Sequence, residues 1–120
     1  MKVLVTTTGR SLESDVDPRF GRAALFALVD TATNTLEAVE ANASRDAMQG
    51  AGIQAARLAA ELGVKVVITG HCGPKAFQAL TAAGIDVFAG ASGSVADAVS
   101  AYGDGQLQRL AAPDVGGHWG

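Results

Sequence analysis

The residues with the most chemistry per unit length lie in one pentad, Gly70-His71-Cys72-Gly73-Pro74. Pro74 suits the first turn of a helix, which places Cys72 at a helix N-terminus. There the partial positive charge of the helix lowers a thiol pKa and gives some thiolate character. His71 beside it can donate a hydrogen bond or take a soft metal such as copper. The plainer alternative is that Cys72 is a small buried hydrophobe and His71 merely caps the turn. As a hydrolytic pair the two are weak, because neighbours in sequence seldom face each other and no third orienting residue is evident.

Cations gather in the segments around this pentad. Arg10, Arg19 and Arg22 lie between residues 9 and 22, Arg45 precedes the next helix, and Lys75 follows the pentad. Asp15 and Asp17 share the first of these segments, so Arg19 and Arg22 either pair with them or serve a ligand. Gly50-Ala51-Gly52 opens a helix, and glycine lets a ligand approach the backbone closely. The run lacks the third glycine of a dinucleotide loop and any Gly-Lys-Ser/Thr, so a nicotinamide cofactor or a P-loop is unsupported. Only one cysteine is present among 120 residues. One chain therefore has neither a disulfide nor the thiolates for an iron–sulfur or structural zinc site. The remaining soft or imidazole ligands are His71, His118, Met1 and Met48.

The elements that must position these residues read clearly. Residues 2–8 form a β-branched strand, 23–30 a second, and 36–41 a third, the last two joined by a short turn as an antiparallel hairpin. From Gly50 to Leu62 the period becomes helical: Ala51, Ala55, Leu58 and Leu62 share a face opposite Gln54, Arg57 and Glu61. Gly63 ends that helix. Residues 64–69 form a near-continuous apolar strand, of the kind buried on both faces of a parallel sheet. A helix then runs from Pro74 to about Ala83 with Phe77 and Leu80 inward, and residues 85–89 form a fifth strand. Ser94-Val95-Ala96-Asp97 opens a last helix with a capping-box pattern. The domain is expected over residues 1–105, with 106–120 a glycine-rich tail. His118-Trp119 at its end either folds over the crevice as a lid or frays.

The order βββαβαβα predicts an α/β fold of the ribonuclease H-like class, a five-stranded mixed sheet with strand 2 antiparallel and three helices. Loops 9–22, 42–50, 70–74 and 90–93 then share the edge at the carboxyl ends of the other four strands. Ligands of open α/β sheets bind at such an edge, and helix N-termini there favour an anion. A two-metal nuclease needs carboxylates on the central strands, whereas the first strand ends in Thr6-Thr7-Thr8. A hydrolase is thus disfavoured, and no enzymatic activity is expected. The net charge of −3 speaks against nucleic acid as a partner. No apolar stretch has the length of a signal h-region or a membrane span, so the expected setting is the cytoplasm, away from membranes.

Three stretches resemble the dinitrogenase iron–molybdenum cofactor biosynthesis family: Val16-Asp17-Pro18-Arg19-Phe20-Gly21-Arg22-Ala23, Gly50-Ala51-Gly52-Ile53-Gln54-Ala55-Ala56, and Val67 to Phe77 through the pentad. The likeness continues through Leu80 and Gly84-Ile85-Asp86-Val87 and spans about residues 1–105. It implies a ribonuclease H-like fold and a small carrier or scaffold for a molybdenum- or iron-containing sulfide cluster. The His-Cys form of the turn, with the Gly-Gly-His-Trp end, is similar to a branch of the family in sulfate-reducing bacteria. That likeness implies a mixed molybdenum–copper sulfide cluster held without conventional covalent ligation, in an anaerobe. Docking is expected over Arg10, Gly50, Gly52, His71, Cys72, Gly73 and Lys75, with longer-range charge from Arg19 and Arg22. Cys72 and His71 are the candidate direct metal ligands. The alternative is a protein-interaction or regulatory module without a permanent cofactor, for which the family implies P-loop ATPases as partners.

Overall fold

The computed structural model describes residues 1–115; His118 and Trp119, read as a lid or a frayed end, lie outside the described residues. The elements are β1 (Lys2–Thr7), β2 (Leu25–Asp30), β3 (Thr35–Ala41), α1 (Ala51–Glu61), β4 (Val66–Ile68), α2 (Pro74–Ala82), β5 (Asp86–Ala89), α3 (Val95–Gly103) and β6 (Gln108–Arg109). One sheet carries all the strands in the order β3-β2-β1-β4-β5-β6. β1, β4 and β5 run parallel, and β2 pairs antiparallel with both β1 and β3. The carboxyl ends of β1, β3, β4 and β5 therefore share one edge.

The five-strand expectation needs correction. A sixth strand, β6, pairs antiparallel with β5 through Phe88–Arg109 and Ala89–Gln108, so β2 is not the sheet's lone reversed member. Two exposed polar residues carry no alternation that a sequence pattern can register. They are held from outside the strand, by the Leu110 amide donating to the Val87 carbonyl at 2.8 Å and by an Arg109–Asp86 ion pair at 3.2 Å.

Alternation along β1 sends its side chains into two cores. Leu4 faces Phe26, Val67, Ala55, Ala59, Ala76 and Leu80 on the α1/α2 side, while Val3 and Val5 face Ile68, Val95 and Ala98 on the α3 side. α1 meets the sheet with alanines and Gly52, so its backbone lies close to the strands and its first turn is held at the rim. Gly63 and Gly84 follow the two helices with φ of +74° and +75°, the left-handed conformation that stops a helix at little cost to glycine alone.

Candidate functional site

The long segment between β1 and β2 closes the mouth between β1 and β4. Its first arm docks on the start of α3: the Val16 amide donates to the Gly93 carbonyl, and the Val95 and Ala96 amides donate to the Ser14 and Leu12 carbonyls, each at 2.9 Å. Its second arm crosses the strand ends. There the Thr6 hydroxyl, fully buried, donates to the Asp17 carbonyl at 2.7 Å and lies 2.8 Å from the Thr69 hydroxyl. The Asp17 amide returns a bond to the Thr6 carbonyl at 2.9 Å. The arm then joins the pentad, with the His71 amide donating to the Pro18 carbonyl at 2.7 Å and the Phe20 amide to the His71 carbonyl at 3.2 Å. Position 70 must be glycine for this crossing, since a Cβ there would lie 2.7 Å from both Cα and O of Pro18. The threonines that speak against a nuclease are thus fastenings for a plug.

Beside the plug lies an open depression of about 110 Å³ lined by Arg22, Met48, Gly50, Gly52, Ile53 and Lys75. α1 begins here. Its N-cap, Gly50, has φ +78°, no side chain caps the helix, and its first turn holds no acidic residue. The first amides of a helix have no partner within it, so this end offers N–H groups and a partial positive charge to a guest. The Arg22 guanidinium donates to the Arg45 carbonyl at 3.0 Å and to the Ala47 carbonyl, and Arg45 Nε donates back to the Arg22 carbonyl at 3.2 Å. These bonds shape the loop and leave the cationic charge unneutralised. Met48 and Ile53 are 96% and 39% exposed, a soft apolar border to a cationic hollow.

Among the described residues, none of Arg10, Arg19, Arg22, Arg45 and Lys75 pairs with a carboxylate; the four ion pairs lie elsewhere. The alternative in which Arg19 and Arg22 pair with Asp15 and Asp17 is therefore not what the chain adopts. Asp17, buried, instead accepts the Arg19 and Ala24 amides at 3.2 Å each. Arg19 is bridged to His71 through the backbone. Arg10 is exposed on the α3-side arm and does not line the depression.

The pentad behaves differently from its reading as a reactive turn. Cys72 is fully buried in the α1/α2 core. Burial pushes its thiol up from 9.0 to about 12, and the nearby Asp114 carboxylate adds to the rise. This reverses the lowered pKa expected from the helix N-terminus, because loss of solvent outweighs a fractional helix charge. The turn's polar groups are held by Asp114, which sequence reasoning missed. One carboxylate oxygen accepts the Cys72 amide at 2.8 Å, the other lies 3.2 Å from His71 Nδ1, and the Asp114 amide donates to the Cys72 carbonyl at 3.2 Å. No sequence signal marks Asp114: its role arises only because the chain after β6 returns to the rim. Met48 and Ile53 were also missed as lining residues. Among the described residues no three His, Cys, Asp or Glu side chains gather to hold a metal ion, and no helix is long and apolar enough to cross a membrane.

The sequence profile of the family described as dinitrogenase iron-molybdenum cofactor matches residues 1–105. The chain belongs to that family. Among solved structures it is similar to the apo form of the orange protein from Desulfovibrio gigas, with 46% identity, a TM-score of 0.90, and coverage of 95% of this chain and 96% of that one. A Thermotoga protein described as a putative NifB protein is 34% identical with a TM-score of 0.78, over 91% and 92% of the two chains. An uncharacterised protein of Methanocaldococcus jannaschii is 30% identical over 97 residues, 79% of this chain and 82% of the relative.

Proposed function

We propose that this family member is a non-enzymatic carrier or store for a molybdenum–sulfur cluster, a mixed molybdenum–copper sulfide in the fullest form of the reading. The cluster is held by charge, amides and apolar contact. The observation that carries this is the meeting of Arg22, Lys75 and the uncapped start of α1 in one hollow bordered by Met48 and Ile53. A metal sulfide is a soft, multiply charged anion that brings its own sulfur ligands, so the protein needs none. Arg22, Lys75 and the amides after Gly50 meet its charge, and Met48 and Ile53 meet its sulfur surface. Arg10, Arg19 and the pentad lie outside that first contact, and the buried neutral Cys72 is assigned no ligand role. Likeness to a protein described as an apo form supports the reading, as does the family description. The order of β3 to β5 along the sheet, with β2 reversed, supports the ribonuclease H-like class.

The test is capture. Protein incubated without oxygen with tetrathiomolybdate and copper develops a charge-transfer band and keeps both metals through desalting. A Lys75→Glu/Ile53→Glu variant retaining as much of both metals as the unmodified protein would remove the site.

A further inference from the structure

We propose that Asp114 is a built-in competitor anion at the His71–Cys72 turn, and that it lowers the rim's affinity for any anionic guest that uses that turn. The inference rests on the cluster-binding reading above. The carboxylate already occupies an anion's place: it takes the Cys72 amide at 2.8 Å with one oxygen and lies 3.2 Å from His71 Nδ1 with the other. Lys75 is three residues along the chain, at the border of the hollow. A guest extending from the hollow over the turn must displace Asp114 to use these donors.

The segment bearing Asp114 is suited to such an exchange. Between the Leu110 amide bonded to the Val87 carbonyl and the Asp114 amide bonded to the Cys72 carbonyl, residues 111 to 114 are all exposed. Their release exposes little apolar surface, and the cost lies mainly in the polar bonds at Asp114 itself. A tethered carboxylate competes at a high effective concentration. Any guest that uses these donors must first displace it, so singly and doubly charged guests lose affinity by the same factor. Asp114 thereby holds the turn closed until a guest displaces it.

The experiment compares the full chain with its Asp114→Ala and Asp114→Asn variants, each titrated anaerobically with tetrathiomolybdate and with tetrathioperrhenate, an ion of the same shape and one fewer negative charge. Both variants are expected to bind tetrathiomolybdate roughly three- to tenfold more tightly, the gain for a site closed about two-thirds to nine-tenths of the time. Tetrathioperrhenate should gain by no more than the same factor, because one displaced carboxylate weakens every guest that uses the turn alike. In the unmodified chain, binding should shift the backbone amide resonance of Cys72. Asn preserves the side chain's size and carries the result if Ala fails to fold. Unmodified protein that binds while folded variants bind no tighter, or whose Cys72 amide resonance does not shift on binding, overturns the role of Asp114 and leaves the cluster reading standing. No binding by any of the three overturns both.

Discussion

The starts of α1 and α3 face the same edge of the sheet and are treated in opposite ways. α3 closes its own end: the Ser94 hydroxyl accepts the Asp97 amide at 3.0 Å, and the Asp97 carboxylate accepts the Ser94 amide at 3.1 Å. α1 has no side-chain cap, no acid in its first turn, and two cations beside it. With Gly50 as N-cap the open end gives up only on the order of a few tenths of a kcal/mol relative to Ser or Asp, and it leaves its first amides available to a guest. α2 lies between the two cases. Its leading turn is occupied, but by Asp114 from the far end of the described chain rather than by a local cap.

The largest effect should come from the occupied turn. The Cys72 thiol has a folded pKa near 12 against an ordinary 9.0. A group whose pKa is raised on folding lends stability in full below its unfolded value and loses it as pH climbs toward the folded one. Stability should thus fall by several kcal/mol between about pH 9 and 12, and urea unfolding of a Cys72→Ala variant should lose that component. At pH 8 the native thiol should resist maleimide until the protein unfolds.

The open end should respond next. Ile53→Glu with Lys75→Glu sets negative charge at the first turn of α1 and removes a cation, lowering tetrathiomolybdate affinity roughly 100-fold, about 2.7 kcal/mol. Ile53→Glu alone should cost about tenfold, yet leave the melting temperature equal or slightly raised, since an acid suits a helix start. Weaker capture with undiminished stability would sharpen the contrast; equal capture would break it. The smallest effect belongs to the closed end. Ser94→Ala should lower stability by about 1 kcal/mol and leave capture unchanged, as read by urea titration beside a binding isotherm.

How far the sequence shows these differences depends on the range of the interaction. The capping box of α3 and the glycine stops at 63 and 84 are local, so residue types a few positions apart reveal them. β6 is legible only through the Val87 and Asp86 contacts that hold it. Cys72 obeys competing rules, and the helix-end rule loses because Ala76, Leu80 and Phe20 share its core. Arg19 and Arg22 cannot be separated from Asp15 and Asp17 by spacing, since Asp17 is drawn inward to backbone amides. Asp114 depends on a chain return with no pattern of its own.

The pin between Thr6, Thr69 and the Asp17 carbonyl has a consequence for traffic. With that mouth shut, a cluster bound on the α1 rim as proposed would stay outside the protein's interior. On the proposed carrier reading, its loading and release would proceed at the pace of surface exchange, with no need for the sheet to breathe.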